Sequence, residues 1–300
     1  MLDALMRRML GRRREPEVPP AWRVPVLCYH SWTMEGAEYQ GNDHVALEAD
    51  LAWLAQHGYA VLPLPMLVEV LRGERPGSEL AGRRLVGLSF DDGRDHDYRD
   101  LPGADGVLVP SMHTVLNRAR IEVLGTGPMA VSFVLASAEA RKGLDAACGS
   151  GRGEWEDDWW APCAAGKVLG IGNHGWDHVH DTLETVRQRD NLKGSFFHVN
   201  TFGDAEGQIA EAQAEIDRLC GGRALPLFAY PYGHVPPYVR DEYLPEHGAR
   251  VGVRAAFGTG GAAVDAASPL WDIPRFVCGW HWRTPAEFAA LLDAVERGER

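Results

Sequence analysis

Short apolar runs alternate with stretches of helical periodicity along this chain from residue 24 onward. The runs that have the length and composition of buried strands are 24–29, 59–64, 85–90, 129–136, 168–171, 225–230, 251–257 and 273–277. Apolar positions spaced three or four residues apart predict helices at 45–57, 111–123, 204–220 and 237–247, and a last helix from 284. Continuous apolar strands separated by helices are typical of a parallel sheet with both faces covered. The number of these units favours a closed α/β barrel over an open sheet.

Residues capable of chemistry follow several of the predicted strands. His30 comes after the first strand, Asp91 and Asp92 after the third, and His174 after a strand in the middle of the chain. Because the catalytic groups of a parallel barrel gather at the C-terminal ends of its strands, we expect these side chains to meet at one mouth.

Two short segments contain the ligands for one divalent cation: Ser-Phe-Asp-Asp-Gly at 89–93 and His-Gly-Trp-Asp-His at 174–178. On the first turn of a helix, His174 and His178 would share a face and could reach the same ion. Adjacent carboxylates at a strand end point in different directions, so that one can bind the ion while the other faces its water. The pattern indicates metal-assisted hydrolysis. An acidic turn and two surface histidines are the alternative interpretation.

Net charge and cysteine content limit the possible binding partners and the possible cellular location of the protein. The 300 residues carry a net charge of −12, which argues against nucleic acid or an anionic membrane as a general partner. No apolar window is long enough for a transmembrane segment. The five cysteines form no Cys-x-x-Cys pair, which favours a reducing compartment and leads us to expect a cytoplasmic location.

The first 22 residues differ from the rest. Five basic residues cluster there: Arg7, Arg8, Arg12, Arg13 and Arg14. Arginines interrupt the apolar positions and no small-residue cleavage site follows, so the stretch does not read as a signal peptide. We expect a flexible basic arm at 1–22 and a single barrel domain at 23–300. A short amphipathic helix that contacts a membrane surface is the alternative for the arm.

Five motifs follow one another along the chain: Val-Leu-Cys-Tyr-His at 26–30, Ser-Phe-Asp-Asp-Gly at 89–93, His-Gly-Trp-Asp-His at 174–178, Phe-Ala-Tyr-Pro-Tyr-Gly at 228–233 and Ile-Pro-Arg at 273–275. Together they resemble the polysaccharide deacetylase superfamily, also called the NodB-homology superfamily or carbohydrate esterase family 4, over nearly the whole chain. The resemblance implies a distorted (β/α)7-type parallel barrel of the kind found in glycoside hydrolases and deacetylases. That fold agrees with the barrel favoured by the apolar pattern.

The resemblance also implies roles for individual residues. Asp92, His174 and His178 match the family's ligands for a divalent metal, which is usually Zn²⁺. Asp91 matches the carboxylate that acts as catalytic base. The segment Tyr230, Pro231, Tyr232 and Gly233 matches the substrate-binding motif, in which the backbone N–H of Tyr232 would help the metal to hold an oxyanion.

The chain departs from the family at two positions near this site. Gly175 stands where many relatives have Ser or Thr, a change expected to alter hydrogen bonding rather than metal binding. Ala229 stands where many relatives carry an Arg that pairs with the catalytic Asp. Arg275 could supply the missing charge from the last strand, as a planar donor fork suited to a carboxylate. An ordinary surface ion pair that caps the barrel is the alternative for Arg275.

A third departure is the absence of the Leu-x-His motif, which furnishes a general acid in many relatives. An amine leaves poorly as an anion, so an acid is still needed. His30 is the first candidate because it lies at a strand end, and His281 is the second. A packing or rim role is the alternative for each.

Two long insertions, 94–109 and 149–166, leave strand ends and are expected to rim the pocket. The second insertion contains Trp155, Trp159 and Trp160. Tryptophan offers a broad amphipathic platform for the apolar face of a sugar, so Trp159 and Trp160 are candidate substrate-binding residues. The alternative is that these rings pin the insertion onto the barrel.

The combined pattern predicts a metal-dependent hydrolase of a non-peptide carbon–nitrogen bond. The resemblance implies removal of an acetyl group from an N-acetylated amino sugar or a polysaccharide precursor, with a carbohydrate or a small N-acyl compound as substrate. Alternatives are a hydrolase of small amides or imides on the same barrel, a glycan-binding barrel without turnover, and a structural partner in an exopolysaccharide assembly complex.

Overall fold

The computed structural model describes residues 21–31, 34, 36–103, 106–149 and 151–300. The basic stretch before residue 21 lies outside the described residues, so the flexible arm and its contact with a membrane surface stay predictions. Within the described part of the chain, no helix has the length and apolar character needed to cross a membrane.

The strands are β1 (Val26–His30), β2 (Ala60–Val61), β3 (Leu85–Asp91), β4 (Leu101–Pro102), β5 (Leu108–Val109), β6 (Glu122–Val123), β7 (Ala130–Val134), β8 (Leu169–Asn173), β9 (Leu227–Ala229), β10 (Ala255–Phe257) and β11 (Phe276–Val277). The main sheet has the order β10-β9-β8-β7-β3-β1-β11, and every pairing along it is parallel. β2 pairs with β3 and with β6 beside this path, and β4 and β5 form an antiparallel pair.

The free edge of β10 is closed by the segment that leads into β11. The backbone N–H of Ile273 donates to Ala256 O at 2.8 Å, and the N–H of Gly258 donates to Ile273 O at 2.9 Å. Because β11 pairs with β1 at the other end of the order, these bonds bring the two ends of the sheet together. The prediction of a distorted parallel α/β barrel is confirmed.

The α-helices are α1 (Asp43–Gln56), α2 (Leu64–Leu71), α3 (Met112–Arg118), α4 (Ala138–Cys148), α5 (Trp160–Ala164), α6 (Phe202–Ala205), α7 (Glu211–Leu219), α8 (Leu244–Val251) and α9 (Pro285–Glu296). A π-helical turn, Glu206–Ala210, joins α6 to α7, and another, Val239–Tyr243, leads into α8. Short 3₁₀ turns lie at Gly77–Glu79, Asp95–Asp97, Phe196–His198 and Pro231–Gly233.

The predicted elements differ from the observed ones in their bounds, and for two of them the physical reason is clear. The helix predicted at 111–123 ends at Arg118, and the chain then continues as β6 because its backbone pairs with β2. The strand predicted at 251–257 begins only at Ala255, because α8 extends through Val251 and ends at Gly252, whose φ of 76° is left-handed. In both cases a tertiary pairing or a glycine cap, and not the apolar pattern, sets the boundary.

The three strands at the centre of the main sheet are buried on both faces. Every residue of β3, β7 and β8 is buried, which is the pattern expected when helices cover both faces of a parallel sheet. The structure thereby fixes the ends of these strands rigidly relative to one another. All five cysteines are unpaired, and only Cys148 is exposed.

Candidate active site

The C-terminal ends of the parallel strands converge on one cavity of about 410 Å³. His30 is the last residue of β1, and it lies opposite Asp91, the last residue of β3, in the register of the two strands. His174 follows β8 directly. The cavity is lined by His30, Asp91, Asp92, Leu135, Leu144, Cys148, Trp155, His174, His178, His180, Tyr232, Gly233, Thr259, Val277 and Trp280. The residues predicted to meet at one mouth therefore do so.

Asp92, His174 and His178 form a buried cluster whose ligand atoms all lie within 4.8 Å of one another. The Nε2 atoms of both histidines are 3.6 Å from Asp92 Oδ1. Two ligands that each sit ~2.1 Å from a tetrahedral ion are separated by about 3.4 Å, so this spacing suits a shared cation. One carboxylate and two imidazoles are also the donor set of catalytic zinc sites that keep a position open. The residues present therefore fit a divalent metal.

The surroundings of His174 and His178 suit metal ligands. The Nδ1–H of His174 donates to Ala229 O at 2.9 Å, which orients the ring with Nε2 towards Asp92. Burial lowers the pKa of His178 well below its ordinary value, and the nearby His174 lowers it further. Ligand affinity depends on neutral imidazoles, so the surroundings favour binding at neutral pH.

The backbone at three cavity residues is left-handed although none of them is glycine. The φ angles are 76° at Asp92, 62° at His178 and 60° at Tyr232. Such conformations cost on the order of 1–3 kcal/mol each and cluster at functional sites, where the surrounding fold enforces them. The next residue after Asp92, Gly93, must be glycine because a Cβ there would lie 2.4 Å from a side-chain atom of Val134.

Asp91 points to a different partner, as expected for adjacent strand-end carboxylates. Arg275 donates to Asp91 Oδ1 at 2.7 Å and to Oδ2 at 2.8 Å. Arg275 is fully buried and also donates to Ser89 Oγ and Gly258 O. Of the two interpretations of Arg275, the structure shows the pair with Asp91 and not a surface ion pair. Arg275 is outside the set of residues that line the cavity, although the sequence predicted it as a substrate-binding residue.

The charge on Asp91 is set by opposing effects. Burial by itself would raise the pKa of Asp91, but the Arg275 guanidinium, together with His174, holds it below the ordinary aspartate range. Asp91 Oδ2 also lies 4.0 Å from His174 Nε2, close to the metal ligands. A carboxylate that stays ionised beside a metal site is suited to accept a proton from water.

The structure separates the two candidates for the general acid. His30 lines the cavity, and its ring, Asp91 and Cys28 have polar atoms within 4.8 Å of one another. His281 is outside the set of residues that line the cavity. Its Nδ1 accepts a hydrogen bond from the backbone N–H of Val277 at 2.8 Å, so it stabilises the turn after β11.

The Pro-Tyr-Gly segment divides between cavity and core. Tyr232 and Gly233 line the cavity, and the Tyr232 ring packs edge-on against His178 with centroids 4.1 Å apart. Tyr230 and Pro231 are buried behind them, and the Tyr230 hydroxyl donates to Trp271 O at 2.8 Å. Of these four predicted substrate-binding residues, Tyr232 and Gly233 therefore line the cavity, whereas Tyr230 and Pro231 support the turn.

Two tryptophans of the second insertion, Trp159 and Trp160, are buried. Trp159 and Trp160 are 1% and 0% exposed and lie in the hydrophobic core, so neither ring presents a face to the cavity as expected for sugar binding. Trp159 Nε1 donates to Asp95 Oδ1 at 3.1 Å, which ties the insertion to the segment after β3. This is the alternative considered for these rings. Burial, which sequence alone does not reveal, decides between the two roles.

Trp155 is the tryptophan of this insertion that reaches the cavity. Its Nε1 donates to the backbone carbonyl of Asp92 at 2.9 Å, which fixes the left-handed backbone of a predicted metal ligand. Leu135, Leu144, Cys148, Thr259 and Val277 also line the cavity, and nothing in the sequence marked them as site residues. His180 and Trp280 line it as well, and both had a signal: His180 follows the His-Gly-Trp-Asp-His motif, and Trp280 follows the last strand in an aromatic Gly-Trp-His-Trp stretch.

The fold is similar to those of solved deacetylases. A polysaccharide deacetylase from Bacillus cereus matches with a TM-score of 0.56 and 16% identity over 91% of this chain and 69% of that one. A deacetylase from Streptococcus pyogenes in complex with acetate matches with a TM-score of 0.54 and 14% identity over 86% of this chain and 92% of that one. A de-N-acetylase from Aggregatibacter actinomycetemcomitans matches with a TM-score of 0.55 and 17% identity over 89% and 99%.

The sequence itself matches no family model and no curated protein. At these identities the likeness establishes the fold, which is the barrel of the polysaccharide deacetylases. The fold implied by the five sequence motifs is thereby confirmed.

Proposed function

We propose that this protein is a metal-dependent hydrolase that removes the acyl group, in the first instance acetyl, from an N-acylated amino sugar. The observation that carries the proposal is the buried Arg275–Asp91 pair beside the cluster of Asp92, His174 and His178. An ionised base next to a three-ligand cation site is the constellation that hydrolysis of an amide requires. Solved proteins of this fold that are described as polysaccharide deacetylases or a de-N-acetylase support the choice of substrate.

Asp92, His174 and His178 would hold the divalent ion, with Zn²⁺ as the first candidate for this donor set. When bound, such an ion supplies Lewis-acid chemistry, since it acidifies a water molecule and polarises a carbonyl oxygen. Tyr232, whose φ of 60° is left-handed, lines the cavity, and its backbone N–H would stabilise the oxyanion that forms on the acyl carbonyl. One well-placed donor of this kind contributes about 3–4 kcal/mol.

Asp91 and His30 would move the protons. Asp91, kept ionised by Arg275, would accept a proton from the attacking water. His30 lies across the strand pair from Asp91 and lines the same cavity, and it would protonate the departing amine. Because an amine leaves poorly as an anion, this proton transfer is needed for the carbon–nitrogen bond to break.

The test is acetate release from N-acetylglucosamine derivatives by the full-length protein after it is loaded with Zn²⁺, with simple amides and imides assayed in parallel. We expect release from the sugars and a loss of about 10²–10⁴-fold in Asp91→Asn, with metal content unchanged. His174→Ala should lose the metal. His281→Ala, a histidine outside the cavity, is the matched control and should keep both.

Three results would contradict the proposal or its site assignment. Activity on simple amides but not on amino sugars would favour the small-amide hydrolase, and metal-loaded protein that binds glycans without turnover would favour a binding barrel. Full metal stoichiometry and unchanged activity in His174→Ala would remove the site assignment itself.

A further inference from the structure

A second group of three metal-ligating side chains lies where β1 and β3 end. Cys28 and His30 are two residues apart on β1, so their side chains point to the same face of the strand. The register of the two strands places His30 opposite Asp91. One ligand atom each of Cys28, His30 and Asp91 lies within 4.8 Å of the other two. None of these three residues belongs to the cluster predicted to hold the catalytic metal.

Each of the three side chains keeps a lone pair that a cation could use. Arg275 donates one N–H to each oxygen of Asp91, but a carboxylate has about four acceptor sites, so both oxygens can still bind an ion. Within the described part of the chain, the ring of half-buried His30 makes no hydrogen bond. The Cys28 sulfur lies 3.4 Å from an N–H donor of Arg275, and a neighbouring guanidinium favours the thiolate that binds metals.

The catalytic cavity gives an ion access to this group. His30 and Asp91 line the cavity, and Cys28 lies two residues before His30 on β1. A tetrahedral ion bound at ~2.1–2.3 Å holds its ligand atoms about 3.4–3.7 Å apart. A rotation of the His30 ring would bring the three atoms from their present spacing to this one, because no hydrogen bond within the described residues restrains that ring.

The chemistry of the three donors selects the kind of ion. Thiolate, imidazole and carboxylate are all ligands of Zn²⁺, whereas Mg²⁺ and Mn²⁺ prefer oxygen. Burial raises the pKa of the Cys28 thiol well above its ordinary value, and Arg275 offsets only part of that rise. The guanidinium also repels a cation. Both effects make this site weaker than the cluster of Asp92, His174 and His178, so an ion would fill it second.

We infer that Cys28, His30 and Asp91 form a second cation site, selective for Zn²⁺ and the chemically similar Co²⁺, which inhibits the enzyme when it is filled. On binding, the Cys28 thiol would release its proton to water. The ion would occupy the lone pair of His30 and one lone pair of Asp91, so that neither group could transfer a proton during hydrolysis. The inhibition rests on the proposed function, whereas the binding of the ion does not.

The test is a Co²⁺ titration of the full-length protein from which metal has been removed. A thiolate bound to Co²⁺ gives a charge-transfer absorption in the near ultraviolet, which imidazole and carboxylate ligands do not give. We expect two equivalents to bind, the second with this absorption and the first without it. Cys28→Ala and Cys28→Ser should bind only the first equivalent, which also shows that they are folded. A wild-type protein that binds one equivalent, or an absorption that persists in both variants, would overturn the inference.

Cys148 provides the matched control, because it is exposed and lines the cavity, so an ion can also reach its thiol. Cys148→Ser should keep both equivalents and the thiolate absorption. Loss of the absorption in Cys148→Ser would assign the thiolate to Cys148 and overturn the inference. In His174→Ala the first equivalent should be lost and the absorption kept. Loss of both there would show that the two clusters are not separate sites, which also overturns the inference.

Acetate release separates the inhibition from the proposed function. Ten equivalents of Zn²⁺ should lower the rate of the wild type at least tenfold relative to one equivalent, and the same excess of Mg²⁺ over Zn²⁺-loaded protein should not. Each Cys28 variant should lose less than twofold relative to its own rate at one equivalent. Equal inhibition of wild type and Cys28→Ala would overturn the inhibitory site and leave the proposed function intact. A second, thiolate-bound equivalent in a protein that releases no acetate would support the site and overturn only the proposed function.

Discussion

Arg275 and Asp91, which are 184 residues apart in the chain, form a two-pronged ion pair in the interior of the barrel. The two nitrogen–oxygen distances are 2.7 and 2.8 Å, and both side chains are buried. Removing one partner of such a pair leaves an uncompensated charge, at a cost of about 3–5 kcal/mol. The pair places a guanidinium beside Asp91 although the position expected to supply it is Ala229.

Arg275→Met should raise the pKa of Asp91, because burial would no longer be offset by a guanidinium. The base is then protonated up to a higher pH, so the acidic limb of the pH profile of kcat/KM should shift upward. Activity at neutral pH should fall at least tenfold in Arg275→Met. The activity of Arg275→Lys should lie between that of Arg275→Met and that of the wild type. Arg141→Met is the matched control, because Arg141 is also buried (1% exposed) but donates hydrogen bonds to the backbone carbonyls of Leu135 and Trp155. The Arg141→Met variant should have a lower Tm and an unchanged acidic limb. An unchanged acidic limb in Arg275→Met would contradict the role of Arg275 in setting the pKa of Asp91.

His30→Ala should slow hydrolysis of amides far more than hydrolysis of activated esters. An amine needs a proton to leave whereas 4-nitrophenolate does not, so the loss should be about 10²–10⁴-fold on an N-acetyl sugar and much smaller on 4-nitrophenyl acetate. His281→Ala, which removes a ring that supports the turn after β11, should show no such difference between substrates. The opposite pattern would assign the acid to His281.

Replacement of Trp155 should weaken metal binding, whereas replacement of Trp160 should lower stability. Trp155→Phe removes the hydrogen bond to the carbonyl of Asp92 and should weaken metal binding about 10–100-fold, as measured by competition with a chelating dye. Trp160→Ala empties a fully buried position and should lower the free energy of unfolding by about 3–5 kcal/mol, with KM unchanged. A changed KM with unchanged stability in Trp160→Ala would return that ring to the substrate site.

Asp50 should make the protein less stable as the pH rises. Burial raises the pKa of Asp50 from its ordinary 3.8 to about 7, and hydrogen bonds from Tyr39, Tyr29 and Trp282 offset only part of that rise. Between these two values the unfolded chain has released the proton while the folded one keeps it, so the free energy of unfolding falls with increasing pH. The slope is at most about 1.4 kcal/mol per pH unit for one proton.

Denaturant unfolding of the wild type and Asp50→Asn from pH 4 to pH 7 measures this contribution. The asparagine does not titrate, so the stability of the wild type relative to the variant should decline over that interval. Asp190→Asn, a replacement at an exposed position, should have the same pH dependence of the free energy of unfolding as the wild type. A constant difference between wild type and Asp50→Asn would show that Asp50 does not titrate in this range.

The apolar pattern located the three central strands of the sheet. The predicted runs include all of β7, all of β3 except Asp91, and the first three residues of β8, because strands buried on both faces are mostly apolar. The prediction of one long helix at 111–123 was wrong beyond Arg118, where the backbone pairs with β2. Periodicity does not report such pairings, because they depend on a strand that is distant in the sequence.

The sequence by itself determined which groups stand at the strand ends. The order of residues along the chain is enough to place Asp91 and Asp92 at the end of β3 and His174 directly after β8. The parallel topology then brings these residues to the same end of the barrel. Tertiary structure alone decided that Arg275 pairs with Asp91, that His30 and not His281 lines the cavity, and that Trp160 is buried. Each of these depends on distances between segments far apart in the chain, and those distances arise only when the barrel closes.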